Sequence, residues 1–124
     1  MGVNVTKRIL VTGSRDWPDY DAVLQAIREA IQDADDVVII HGGARGADDI
    51  ADRVCEELDL PTEAYPAQWE KYGRAAGRLR NKAMVELGAD VCLAFPLGPS
   101  RGTRHCMREA KRAGIPVINY GTAQ

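Results

Sequence analysis

Short apolar runs alternate along the chain with longer stretches in which apolar residues recur at helical spacing. RILVTG (8–13) and VVIIHG (37–42) are continuous apolar runs ended by glycine, the pattern of strands covered on both faces. TEAYPA (62–67) is a weaker strand whose Pro66 marks its end or an edge position. VCLAFP (91–96) and PVINY (116–120) complete five predicted strands. Leu24, Ile27 and Ile31 predict a first helix after the turn-forming SRDWPDY, and Ile50, Val54 and Leu58 a second after HGGARGADD. Leu79, Ala83 and Leu87 organise a third that stops at Gly88. Cys106, Ala110 and Ala113 organise a fourth, with Gly114 as its stop and Pro116 just beyond.

Strand–helix alternation with short links predicts right-handed crossovers and a parallel sheet covered on both faces. The expected architecture is a single α/β domain over residues 1–124: a Rossmann-like three-layer fold with a five-stranded parallel sheet in the order 3-2-1-4-5. In such sheets ligands bind beyond the carboxyl ends of the strands, where strand order reverses. Three glycine-bearing loops fall there, each with an arginine: GSRDW (13–17), HGGARGADD (41–49) and GPSRGT (98–103).

Composition narrows the function classes. Apolar residues at 45% and charged residues at 27% are globular values, and no apolar stretch is long enough to span a membrane. The first residues, MGVNVT, match the spacing of a myristoylation motif but show no secretion signal. Three cysteines, Cys55, Cys92 and Cys106, form no C-x-x-C pair and read as reduced thiols, which implies a cytoplasmic protein. The net charge of −2 conceals an asymmetry: residues 71–112 hold ten Lys and Arg against three acids, and the remainder six against fifteen. A local basic site for a small phosphorylated ligand fits that balance better than a general nucleic-acid face.

GPSRGT permits close backbone approach to an anion, and the helix start behind it supplies oriented N–H groups. Thr103 can cap that helix or donate its hydroxyl to a ligand. The bland alternative is an ordinary capped helix start, but Arg101 and Arg104 at a terminus that normally favours acids point to an anionic visitor. GGARG (42–46) is a second glycine turn and matches neither standard nucleotide fingerprint. Asp48 and Asp49 behind it either offset the helix dipole or accept a ribose hydroxyl. YGRAAGRLRNKAM (72–84) puts Arg74, Arg78 and Asn81 on one helix face and Gly73, Gly77 and Arg80 on a neighbouring one. Its glycines cost roughly 2 kcal/mol of helix propensity, which implies close approach by another helix or a ligand. Trp69 and Tyr72 before it stack on a base or roof the core. His41 and His105 lack partners at metal-ligand spacing, so no metal or other cofactor is expected. Cys106 in a first helical turn is read as packing, and Ser14 lacks a nucleophile elbow.

ILVTGSRDW, VVIIHGGARGAD, YPAQWEKYGRAAGRLRN and the later GT followed by EAKRAGIPV together resemble the YspA-like branch of the SLOG superfamily, over roughly residues 8–120. That superfamily also includes DprA and the LOG phosphoribohydrolases, and small stand-alone copies occur in phage and bacterial genomes. The resemblance implies a Rossmann-like fold that binds nucleotides or nucleotide-derived ligands, often in homo-oligomers. It places the phosphate motif on Gly98, Gly102 and Thr103, an Arg-Asn pair on Arg80 and Asn81, and the second loop on Gly42, Gly43 and Gly46. LOG enzymes carry glutamates two and three residues after the Gly-Thr, one of which assists cleavage of the N-glycosidic bond; here those positions are His105 and Cys106.

The leading expectation is therefore a binding module, a sensor or regulator, for an ADP-ribose-like molecule or a nucleoside monophosphate. Its phosphate sits at the start of the fourth helix. Gly13, Ser14, Arg15, Gly42, Gly43, Gly46, Trp69, Arg80, Asn81, Gly98, Arg101, Gly102 and Thr103 form the expected binding set. Arg15, Arg80 and Arg101 neutralise charge, Asn81 fixes orientation and Trp69 covers the base. The alternative is a phosphoribohydrolase acting on a nucleoside 5′-monophosphate, with Asp48, Asp49 or Glu109 supplying the missing carboxylate. DprA-like single-strand DNA binding is a third reading, opposed by the acidic remainder and few aromatics. Ala75, Ala76 and Gly77 offer a close-packing surface for a homodimer.

Overall fold

Residues 5–122 are described by the computed structural model; the myristoylation match at Gly2 lies outside them. β1 (Lys7–Gly13), β2 (Val37–His41), β3 (Thr62–Ala64), β4 (Val91–Phe95) and β5 (Val117–Asn119) form one parallel sheet in the order β3-β2-β1-β4-β5. The strand order and all-parallel pairing are those the sequence predicts. Two-residue alternation along the buried central strands builds the layers. Ile9, Val11, Ile39, Leu93 and Phe95 face α1 (Tyr20–Ile31) and α2 (Ala47–Leu58), with Val23, Ile27 and Val54 packed among them. Leu10, Ile40 and Cys92 point the other way, onto α4 (Ala76–Glu86) and α5 (Arg101–Arg112) through Met84, Val85, Cys106 and Ala110. Phe95 is flanked by Trp17 edge-on at 5.3 Å and by Tyr120 stacked at 5.2 Å, which seals the first layer under the loops.

Caps locate the helices. Asp19 accepts from Ala22 N to start α1, and Gly88 (φ +89°) and Gly114 (φ +80°) follow the ends of α4 and α5 where the sequence places stops. The third predicted helix differs in two ways. It is broken into α3 (Trp69–Tyr72), a 3₁₀ turn over Gly73–Ala75 and α4. Its phase is also rotated: Leu79, Ala83 and Leu87 face solvent, while Ala76, Asn81, Met84 and Val85 are buried. The cause is the polar pair Arg80–Asn81, whose hydrogen bonds to Gly42 O and Gly102 O hold that side of α4 against the strand ends. At the fourth predicted helix Ala113 lies just past the end of α5 and is exposed, so Cys106, Met107 and Ala110 carry its buried face.

Candidate functional site

The chain passes from β1 outward through β2 and β3, then returns to the other side of β1 for β4. Loops leaving β1 and β4 therefore diverge and leave a crevice at their carboxyl ends. A cleft of about 650 Å³ occupies that place. Its walls are the exit of β1 (Thr12 to Asp16), Ala44 and Asp48 from the second loop and α2, α3–α4 from Trp69 to Met84, and the segment Leu97 to Arg108. Seven arginines line it: Arg15 from the first loop, Arg74, Arg78 and Arg80 from the segment leading through α4, and Arg101, Arg104 and Arg108 from α5. Asp16 and Asp48 are the acids among the lining residues. Such an excess of fixed positive charge in a concave wall concentrates anions.

α5 starts without a side-chain cap. Its N-cap residue, Ser100, lies in the left-handed region (φ 39°), and its hydroxyl donates to Thr103 Oγ1 at 2.9 Å. Thr103 is buried and serves this internal bond. A Cβ built on Gly102 meets no atom within 4 Å, so the first turn opens into the cleft. Arg104 lines the cleft with its guanidinium tied into the loop, donating to Gly98 O at 2.6 Å, Pro99 O at 3.0 Å and Thr122 Oγ1 at 3.0 Å. It fixes the loop, whereas Arg101 stays exposed at the rim.

The second loop is held mostly by the protein itself. Gly42 O accepts from Arg80 Nη1 at 2.6 Å, and the guanidinium occupies the space a Cβ at Gly42 would take. Gly43 N donates to His41 Nδ1 at 3.0 Å, while His41 Nε2 faces Asp52 Oδ1 at 3.1 Å. The Arg-Asn pair thus clamps two of the glycine loops. Arg80 also donates through Nε to Asn81 Oδ1 at 2.9 Å, and Asn81 Nδ2 donates to Gly102 O at 3.1 Å. Both side chains line the cleft while holding its walls together. Arg15 lies over the Trp69 ring at 5.5 Å, so one face of the expected base-stacking tryptophan already carries a cation. This pair separates the main cleft from a second hollow of about 320 Å³ lined by Gly42, Gly43, Arg45 and Pro66.

The three carboxyl candidates separate. Asp49 is exposed on the outer face of α2, paired with Arg53 at 3.3 Å. Glu109 lies a turn beyond the cleft, 3.4 Å from His105 Nε2 and 3.6 Å from Arg112 Nη1, and does not line it. Asp48 does line it, and is buried. Burial pushes its carboxyl up from the ordinary value of 3.8; His41, the Ala44 and Gly42 amides and Arg80 oppose this without cancelling it. A raised folded value means Asp48 contributes stability that is complete below 3.8 and lost as pH rises through the folded value. Asp48→Asn keeps an oxygen for the two amides and removes the charge. It is expected to melt at a higher temperature than the parent at neutral pH, an advantage that disappears as pH falls toward 3.8 in thermal unfolding by circular dichroism.

His105 and Cys106 stand where the LOG-type resemblance expects acids. His105 lines the cleft, its Nδ1 3.3 Å from Asn81 Nδ2, and burial lowers its basicity. Cys106 is buried under α5 with its thiol pushed up to about 11 by burial, so its place in the first helical turn does not make it a thiolate. Arg74, Arg78 and Arg108, none of them in the expected binding set, line the cleft as well. Thr12 and Leu97 carried no signal, because only the loop path brings them there.

The chain matches the family described as YspA, cpYpsA-related SLOG over residues 7–72. It is 54% identical over 121 residues to the Gene 61 protein of Mycobacterium phage D29, covering 93% of this chain and 97% of that protein. No solved structure matches it significantly.

Proposed function

This chain belongs to the YspA, cpYpsA-related SLOG family, and on that premise we propose that its cleft binds the phosphate of a nucleotide-derived small molecule against the first turn of α5. Membership suggests nucleotide-related binding or processing. The ligand is an ADP-ribose-like compound or a nucleoside monophosphate, and the domain acts as a sensor or regulatory module. One observation carries this reading: an uncapped helix start opening through Gly102 into a cleft walled by seven arginines. Helix-terminal N–H groups and guanidinium forks both favour phosphate oxygens.

Phosphoribohydrolase activity is the second reading, favoured by one feature, the buried Asp48 carboxyl on the same cleft. Released base distinguishes the two. The protein is incubated with inorganic phosphate, adenosine 5′-monophosphate, cyclic adenosine monophosphate and ADP-ribose, and each is followed by thermal shift and by chromatography. A rise in melting temperature without free adenine is the expected result. Arg101→Ala is expected to weaken binding about tenfold by isothermal titration, since a charge-assisted bond to phosphate is lost at an otherwise intact rim. Binding unchanged in that variant would place the phosphate elsewhere.

A further inference from the structure

The outer face of α4 has a chemistry of its own. Arg80 and Asn81 on the inner side grip Gly42 O and Gly102 O, which fixes the rotation of the helix. Ala75, just before α4, and Leu79, Ala83 and Leu87 then follow one another at four-residue intervals on the outside. All four are exposed, Leu79 by 44% and Leu87 by 53%. Residues at that spacing share one side of a helix, so they form a stripe in which small and large side chains alternate. From Leu79 to Leu87 the stripe runs about 12 Å, and Ala83 leaves room between them for a large side chain from outside. The rotation that would bury the leucines is the one the Arg-Asn clamp forbids.

The charge beside the stripe has one sign. Arg78 lines the cleft together with His105 and Arg108 of α5, so it lies on the edge of α4 next to α5. Lys82 follows one turn later on the same edge. α5 packs alongside and exposes Arg108, Lys111 and Arg112. Arg78 and Lys82 make no ion pair among the described residues. Glu86 is the one acid of α4 and stands at its end. An apolar stripe edged by a basic row matches an amphipathic helix whose polar side is acidic. A second copy docked through the same face sets this basic row against itself. A lipid surface has no side chain to seat over Ala83.

We propose that the outer face of α4 is a docking surface for an acidic amphipathic helix of a partner protein. Its apolar residues pack along Leu79, Ala83 and Leu87, and its carboxylates meet Arg78 and Lys82. This surface is independent of the ligand in the cleft, since neither leucine nor Lys82 lines that cleft.

The probe is a fluorescein-labelled peptide of about 18 residues with leucines at helical spacing and glutamates between them. It is titrated with the full chain and followed by fluorescence anisotropy. Two controls accompany it: a scrambled peptide of the same composition and one with lysine in place of glutamate. The acidic amphipathic peptide is expected to bind in the micromolar range and the controls not to bind. Leu79→Ser combined with Leu87→Ser is expected to weaken binding at least about tenfold, because the leucine contacts are lost. Lys82→Glu is expected to weaken it about fivefold or more at low salt. Equal binding of the scrambled peptide overturns the proposal, since charge alone then attracts it. Undiminished binding by the leucine variant also overturns it, because the peptide then sits elsewhere. Absence of peptide binding overturns it as well. Light scattering and sedimentation with phosphatidylserine vesicles then name the occupant, as self-association or membrane binding that the leucine variant loses. If that variant does not fold, Lys82→Glu and the peptide controls decide.

Discussion

Gly102→Asp is expected to bind adenosine 5′-monophosphate at least about 100-fold more weakly than the parent while melting no lower. The two effects come from one carboxylate acting on two different charges. Near the start of a helix an acid interacts favourably with the exposed N–H groups, by about 0.3–1 kcal/mol. A Cβ at Gly102 meets no atom within 4 Å, so the added side chain finds room without moving α5. That room is the space assigned to the phosphate. An aspartate there occupies it and sets a negative charge a few ångströms from the incoming anion, worth several kcal/mol at the intermediate dielectric of a protein surface. Isothermal titration and thermal unfolding on the same preparation check both halves. Loss of binding with loss of stability would mean that position 102 holds the helix together. Retained binding would move the phosphate away from α5. Gly102→Asn separates bulk from charge, since it fills the same space without repelling the ligand.

The strands and the identity of the glycine loops were legible because they depend on short-range patterns. VVIIH reads as a strand covered on both faces, and β2 is buried throughout. The third helix was misphased for a reason that no local pattern records. Leu79, Ala83 and Leu87 recur at helical spacing, but Arg80 and Asn81 find their partners in loops 38 and 21 residues away, and those bonds turn the leucines outward. The same long-range bonds recast the Arg-Asn pair, which grips the protein's own carbonyls at the cleft wall. Asp48 and Asp49 are adjacent in sequence and opposite in fate. A helix start rotates successive residues by about 100°, so one side chain turns in beneath the loop and its neighbour meets Arg53 in solvent. The sequence leaves open whether either contacts a ligand or only offsets the helix dipole, and the helix phase is what separates them. Arg104 was read as attracting an anion, but its guanidinium closes the Gly98–Pro99 turn from within. Basic residues around a site are thus easy to see in sequence, and their division into ligand-facing and loop-holding groups is not.

Gly46→Ala is expected to destabilise the domain by about 3 kcal/mol or more, a large share of the 5–15 kcal/mol that holds a typical domain together. Gly46 precedes α2 with φ 74° and ψ −127°, a conformation that side chains with a Cβ rarely adopt. Strain is joined by collision. A Cβ there would be driven into Ser14 O and the Arg15 carbonyl group. Ser14 O cannot retreat, because it accepts from Ala47 N at 3.1 Å and from Trp17 N at 3.2 Å, while Ser14 N donates to Phe95 O at 2.9 Å. The backbone of Ser14 thereby fastens the loop after β1 to the end of β4 and to the start of α2, and Gly46 is the residue that lets the three come together. Its glycine is demanded by the fold, whereas Gly102 faces open space. Gly102→Ala is the matched control, expected to leave stability within about 1 kcal/mol of the parent. Denaturant unfolding of the two variants separates these roles. A Gly46→Ala protein as stable as the parent would mean that the second and first loops part without cost, and a cleft built on their junction would lose its floor.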